Sequence, residues 1–278
     1  MPFSGWVKGV LKNADEWIGP MIGAIYGGAM MIVMGRLFTD VFVVSPKVTL
    51  LLSILALVTL VGGEAAAYDS EKMREILLYS GVAQSGLEIL LILNGYAALS
   101  FILILSNMMA KYVMFLLSGY IVNAAGTDVL GDLKGLFRSN PFLGFAFTAA
   151  GLSLAGLPLF VGFFIKLNIL YNLMMSHSYW LPAIILITSL VEGIYMLRMI
   201  LGLWQTGLEV QEAGIQIISP SNIKTKYAVH AITLILSLAM VVFGLMPDYA
   251  LDLAQKARGN AVADKPAMMI GMKGGPGQ

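Results

Sequence analysis

The chain has 278 residues, of which 58% are hydrophobic and only 12% are charged, against the roughly 25% charged residues of a typical soluble domain. This composition excludes an ordinary soluble protein. The 17 Lys and Arg residues nearly balance the 16 Asp and Glu residues, so the chain lacks the basic field that nucleic-acid binding requires. Because there is no cysteine, disulfides, iron–sulfur clusters and thiolate metal sites carried by this chain are also excluded.

The first 16 residues predict an amphipathic helix at the membrane surface. The apolar residues of this segment, which follow the spacing of one helix face, are Phe3, Trp6, Val7, Val10 and Leu11. Charged residues fall between them, as they do on the polar face of an interfacial helix. A cleavable signal would need a basic start and a short, uninterrupted apolar stretch, so we do not expect one here.

Eight apolar runs follow, and their lengths predict transmembrane helices. They cover about residues 17–38, 49–67, 76–93, 97–123, 141–157, 161–175, 180–204 and 227–245. A helix of about 20 residues crosses a hydrocarbon core roughly 30 Å thick, whereas the strands of a membrane barrel need only about ten residues. We therefore predict an all-helical integral membrane protein, with a transmembrane domain over residues 17–246 and an extramembrane tail over residues 247–278.

The connection over residues 156–162 predicts a broken helix. It is too short and too apolar for a water-exposed loop, and exposed backbone at membrane depth survives only where protein or a wet cavity satisfies it. Transporters place ion sites at such breaks. Counting the broken pair as one span predicts about seven crossings.

The Lys and Arg residues of the short loops predict the orientation of the helices. One side would carry Lys8, Lys12, Lys72, Arg74, Lys134, Arg138, Lys224 and Lys226. The other side carries only Arg36 and Lys47 before the tail. The first side is therefore predicted to be cytoplasmic, which indicates a multi-pass protein of the cytoplasmic membrane.

Four ionisable residues lie well inside the apolar runs: Glu88, Lys111, Lys166 and Glu192. A charge at the bilayer centre costs on the order of 2.5–3.5 kcal/mol on insertion scales, so each needs a partner, water or a functional reason. Burial favours the neutral forms of carboxylates and ammonium groups alike, so the four residues could exchange protons and form a path. The alternative is that they are structural ion pairs between helices.

Other polar residues are weaker candidates. Glu64 and His230 lie nearer the ends of their runs, so we expect Glu64 to be interfacial and His230 to be a satisfied polar residue. Arg36 and Arg198 are expected to extend toward the membrane surface. Without clusters of His or Cys, the 18 methionines indicate lipid-facing or gap-filling side chains, and we predict no metal site and no catalytic residue.

Several motifs resemble one family of membrane proteins. Residues 153–166 closely resemble the broken helix of antiporter-like subunits in respiratory complex I, Mrp cation/proton antiporters and membrane-bound hydrogenases. Residues 73–86 resemble the family's Lys-Arg-x-Leu-Ala-Tyr-Ser-Ser run, and residues 107–119 its His-Ala-x-x-Lys helix. Residues 189–198 resemble the helix after the break. The resemblance covers most of residues 1–204.

The resemblance implies that Lys111 is the central lysine and Lys166 the broken-helix lysine of a proton-translocating half-channel. Three positions depart from the family's pattern. Asn107, which we keep as a secondary candidate with Glu64 and His230, replaces the motif histidine. Gly81 replaces a serine, and a glycine near Gly28 replaces a lysine. Part of the relay is therefore expected to be absent or rerouted.

Residues 2–6 resemble the family's Pro-Phe-His-x-Trp motif, again without its histidine. In the family that motif lies near the middle of chains about twice this long, so the resemblance is to the C-terminal half only. The chain would hold the second of two inverted five-helix repeats and only the end of the first. We therefore expect that it is not a complete antiporter by itself.

These inferences together predict an antiporter-like subunit of a multisubunit, redox-driven ion-translocating complex, not catalytic by itself. The resemblance implies a host related to Mrp antiporters, whose D-type subunit is the counterpart, or to group 4 hydrogenases and sulfane-sulfur reductases, whose H-type subunit is the counterpart. Iron–sulfur clusters or a metal site are expected only in partner subunits. The expected partners are other membrane subunits, including an antiporter-like neighbour facing the missing first half, and membrane lipid.

Two alternatives stay open. The chain could be a non-conducting structural spacer derived from a truncated antiporter, with its buried charges locked in static pairs. It could also be an independent small-solute transporter, although the lack of a complete inverted pair disfavours this.

Overall fold

The computed structural model describes residues 9–10, 16–42, 45–175, 179–205 and 227–246. Every regular element in these ranges is helical, and the strand-like contact there is an isolated antiparallel bridge between Lys72 and Val129. The all-helical prediction is therefore confirmed for the described part of the chain. The predicted tail lies outside these ranges, as does nearly all of the predicted surface helix.

The described ranges contain eight apolar helices. They are α1 (Ile18–Val41), α2 (Pro46–Asp69), α3 (Met73–Leu93), α4 (Ala97–Ala125), α5 (Pro141–Ala155), α6 (Val161–Met175), α7 (Trp180–Trp204) and α8 (Tyr227–Leu245). Helices α1 to α4 and α7 are long and apolar enough to cross a membrane, whereas α5, α6 and α8 are shorter. The number of crossings beyond these five depends on the shorter helices, so the prediction of about seven stays a prediction.

Helices α3 and α4 are the most enclosed of the five long helices and lie at the centre of the fold. Their fully buried side chains, among them Leu77, Leu90 and Leu103, join a single apolar cluster with residues of the surrounding helices. The outer faces of α2 and α7 expose leucines such as Leu50 and Leu190. Such faces suit contact with lipid or with neighbouring subunits.

Helices α2 and α3 form a tightly packed antiparallel hairpin, and two glycines permit the close approach. A Cβ atom on Gly86 would lie 2.6 Å from the Ala56 carbonyl oxygen, and one on Gly63 would lie 2.7 Å from the Ala83 nitrogen. Small residues allow membrane helices to approach in this way. The consequence for the site is that the part of α2 that carries Glu64 lies close to α3.

The connection from α4 to α5 is tied to the start of α3. The Arg74 backbone N–H donates to the Asp128 carboxylate at 3.1 Å, and the Arg74 guanidinium donates to the Gly119 carbonyl and the Asn123 side chain. Burial raises the pKa of the Asp128 carboxyl, and the Arg74 N–H bond opposes that rise. These contacts hold α3 in register with α4.

The glycine packing makes a testable prediction about stability. Gly86→Ala places a methyl group against backbone atoms of α2, so the two helices must separate. We expect the free energy of unfolding to fall by about 1–3 kcal/mol, the usual cost of overpacking. Gly193→Ala on α7 is the matched control, because a Cβ there meets nothing within 4 Å. Equal effects of the two substitutions, measured by unfolding in detergent micelles, would contradict the packing account.

Candidate functional site

A short non-helical segment separates α5 from α6, within the predicted connection over residues 156–162. Helix α5 ends at Ala155 and is followed by Gly156 in the left-handed conformation with a φ of 74°, and α6 begins at Val161. Leu159 between them has a φ of 93°, a strained value for a residue with a side chain. A Cβ on Gly162 would collide with the Ser153 carbonyl oxygen. The break therefore brings the last carbonyl groups of α5 close to α6.

Lys166 on α6 bridges the break and α7. Its ammonium donates to the Leu154 carbonyl oxygen at 2.8 Å and to the Glu192 carboxylate at 2.7 Å. Both side chains are buried within the protein. The last carbonyls of a helix carry partial negative charge, so the ammonium is stabilised from two directions. Sequence reasoning placed both residues in the path, and the structure brings them into direct contact.

Glu192 on α7 makes side-chain contacts with two other helices, α6 and α3. In addition to Lys166, it accepts hydrogen bonds from the side-chain amide of Gln84 on α3, at 2.8 and 2.9 Å to its two oxygens. The Ser80 hydroxyl, one turn earlier on α3, donates to the same carboxylate at 3.5 Å. A carboxylate with this many donors is well satisfied despite its burial.

Asn107 on α4 extends the contacts to Glu88. Its side-chain amide donates to the Gln84 side-chain oxygen at 3.1 Å and to the Glu88 carboxylate at 3.2 Å. Lys166, Glu192, Gln84, Asn107 and Glu88 thus form one continuous hydrogen-bonded chain of buried side chains across α6, α7, α3 and α4. We call these five residues the polar row.

Gln84 is the member that sequence reasoning missed. The available signal was its spacing, because Ser80, Gln84 and Glu88 lie four residues apart and so share one face of α3. An uncharged amide among apolar residues is a weaker signal in a sequence than a charge, although Gln84 makes the central bonds of the row.

Lys111 on α4 is buried, at 5% exposure, yet it is not in an ion pair. Within the described part of the chain its ammonium makes no hydrogen bond and forms no ion pair with Glu88, whose carboxylate accepts from Asn107 instead. Instead Lys111 lies beside a cavity of about 200 Å³ between α1, α3 and α4. Lining residues that bear on the site are Gly28, Gly81, Gln84, Glu88 and Asn107. The three departures from the family motifs therefore lie around one space next to Lys111.

The remaining candidates are not members of the polar row. The interfacial position expected of Glu64 stays a prediction, and its side chain is buried within the protein at 4% exposure. His230 on α8 packs its ring against Phe142 of α5, with ring centres 5.1 Å apart. Arg36 and Arg198 are exposed, as expected for residues near helix ends. The described residues contain no cluster of three His, Cys, Asp or Glu side chains that could hold a metal ion.

Comparison with known proteins identifies relatives in several membrane complexes. NADH-quinone oxidoreductase subunit N of Geobacillus kaustophilus is 31% identical over 224 residues, which cover 73% of this chain and 44% of the relative. Subunit N of Nitrosomonas europaea is 26% identical over 275 residues, covering 92% of this chain and 53% of the relative. The chain thus spans about half the length of the curated relatives it matches.

Solved structures share the fold. A chain of the membrane-bound sulfane sulfur reductase, an archaeal respiratory membrane complex, superposes with a TM-score of 0.77 at 25% identity, covering 91% of this chain and 50% of that one. A chain of the Mrp complex from a Dietzia species superposes with a TM-score of 0.72 at 22% identity, covering 87% and 53%. Residues 1–192 match the family described as "NADH:quinone oxidoreductase/Mrp antiporter, TM". The chain therefore belongs to this family of membrane subunits.

Proposed function

We propose that the chain contributes a half-channel for protons or sodium ions to a multisubunit ion-translocating membrane complex. The observation that carries this proposal is the polar row, in which side chains from four helices link three ionisable groups by hydrogen bonds of 3.2 Å or less. Intramembrane ionisable residues are costly and typically mark ion paths. A row of buried donors and acceptors also offers oxygen atoms to a sodium ion, so both ions remain in the proposal.

The two lysines have different roles in this proposal. Lys166 is loaded from one side, and Glu192, directly bonded to it, sets the charge balance at the break. Moving the proton from Lys166 to Glu192 neutralises both groups, so neither is left as an isolated buried charge. Lys111 passes a proton laterally, by way of the cavity that it lines together with Gln84 and Glu88.

The host we propose is redox-driven and lies in the cytoplasmic membrane. The fold match to the sulfane sulfur reductase, which covers most of this chain, supports an H-type subunit of such a complex, and a D-type subunit of an Mrp complex is the related option. We propose seven crossings, with one five-helix repeat like that in the C-terminal half of the longer relatives. Iron–sulfur clusters would belong to partner subunits, because this chain has no cysteine, and we propose that any metal site belongs to them as well. Other membrane subunits, including an antiporter-like neighbour, complete the set of partners.

The spacer hypothesis has one observation in its favour. Lys166 and Glu192 are fully paired, as they would be in a static tie between α6 and α7. Lys111 argues against the spacer hypothesis, because an unpaired buried ammonium is destabilising. A spacer with a purely structural role would have no reason to keep it.

Transport in vesicles separates the two functions. We expect Lys111→Ala and Lys166→Ala in the assembled complex each to reduce proton or sodium pumping to near background, because each removes a proton carrier. Lys134→Ala, between α4 and α5 and outside the membrane helices, is the control and should pump normally. Lower assembly with unchanged pumping per assembled complex would contradict the half-channel and support the spacer.

The ion pair itself makes a prediction about stability. Lys166→Met and Glu192→Gln should each lower the free energy of unfolding by about 3–5 kcal/mol, because each strands the other partner in the protein interior. The double variant should recover most of that loss. The exposed pair Arg36–Asp40, at 3.6 Å, is the control, and breaking it should cost no more than about 1 kcal/mol. Additive losses in the double variant of the buried pair would show that the two charges do not compensate each other.

A further inference from the structure

Two buried polar groups beside the polar row have no role in it. One carboxylate oxygen of Glu64 on α2 and the hydroxyl of Tyr195 on α7 are fully enclosed and have no hydrogen-bond partner among the described residues. Tyr195 lies next to both Glu64 and Ser80, and Ser80 contacts Glu192. Unsatisfied buried groups are rare in native proteins and call for an explanation.

We propose that Glu64 and Tyr195 form a proton branch that connects Glu192 to the membrane surface at the α2–α3 turn. This inference rests on the proposed half-channel and names one of its access routes. It assigns a role to Tyr195, which was not among the candidate site residues, as the group between two carboxylates.

Charge balance supports a proton on this branch. The interior around the row holds three carboxylates, on Glu64, Glu88 and Glu192, but only two ammonium groups, on Lys111 and Lys166. Glu192 is paired with Lys166, and Glu64 makes no ion pair in the described part of the chain. The other buried cation there, Arg74, lies at the start of α3 beside Asp128 and Asn123. A bound proton would remove the excess negative charge, which is costly to bury.

The branch reaches the surface along two helix faces. Tyr68 lies one turn beyond Glu64 on α2, and Arg198 lies one turn beyond Tyr195 on α7. The Arg198 guanidinium sits 5.7 Å from the Tyr68 ring centre and donates to the Ser70 carbonyl at 2.8 Å. Tyr68 is 50% exposed, so this pair marks the outer end of the branch. The Lys and Arg distribution predicts that this end is cytoplasmic.

The proposed transfer balances in protons and charge. The Tyr195 hydroxyl gives its proton to the Ser80 hydroxyl, which gives its own proton to the Glu192 carboxylate, and Tyr195 takes a proton from Glu64. The tyrosine and the serine end neutral, and one proton has moved inward. Glu64 is then reprotonated from the α2–α3 turn. The ionisable and polar groups that face this step are Ser80 and Gln84 from α3, Glu192 from α7, Lys166 from α6 and Lys111 from α4.

Infrared spectroscopy of the full chain in lipid tests the branch without requiring transport. We expect a carbonyl-stretch band from a buried protonated carboxylic acid that is lost in Glu64→Gln and shifted in Tyr195→Phe. Both substitutions keep the size of the side chain, so the helix packing should survive. Tyr120→Phe, at another buried tyrosine on α4, is the control and should leave the band unchanged. The same band in wild type and Glu64→Gln would overturn the proposal.

Pumping by the assembled complex gives the second readout. Glu64→Gln and Tyr195→Phe should each slow pumping roughly tenfold or more, as expected for loss of a proton-transfer group. The double variant should pump at about the rate of the slower single variant, because the two residues act in one route. Loss of pumping in Lys166→Ala with full pumping in Glu64→Gln and Tyr195→Phe would reject the branch and leave the half-channel intact. Full pumping in all of these variants would reject the half-channel as well.

Discussion

The contact between Lys166 and Glu192 is the interaction on which the rest of the site depends. A lone ammonium or carboxylate in a low-dielectric interior is strongly unfavourable, so the two charges require each other and further hydrogen bonds. The broken helix supplies one of these through the Leu154 carbonyl, and Gln84 supplies two more. The carbonyl at the break and the Gln84 amide therefore supply the hydrogen bonds that the buried ion pair needs in addition to its own contact.

Backbone packing places these groups. The close approach of α2 and α3 at Gly63 and Gly86 turns Glu64 inward and leaves the Ser80, Gln84 and Glu88 face of α3 for α4 and α7. On the opposite side, Gly28 and Gly81 line the cavity next to Lys111, and the missing side chain of Gly28 also makes room for Met108. Glycines thus permit close packing on one side of α3 and line a cavity on its other side. Lys166 is paired at the break, whereas Lys111 is unpaired at the cavity.

Much of the fold could be predicted from the sequence, because the length of an apolar run indicates whether it can cross a membrane as a helix. The broken connection and the four charges followed from the same pattern, and the structure brings Lys166 and Glu192 together. Gln84, the burial of Glu64 and the isolation of Lys111 did not follow. Each depends on how helices distant in sequence pack, and an amide or a glycine gives no local signal of what a neighbouring helix will place beside it. The family match now fixes the kind of fold, while the roles of individual residues rest on the geometry.

Proton flux through vesicles that contain the assembled complex with Gln84→Leu tests the central claim most directly. This substitution interrupts the polar row at its middle without removing any charge, and it leaves the contact between Lys166 and Glu192 in place. Gln205→Leu, just beyond the end of α7, is the matched control. The account predicts a large fall in flux per assembled complex for Gln84→Leu and none for the control. Unchanged flux with Gln84→Leu would show that the polar row is not the route by which the ion moves.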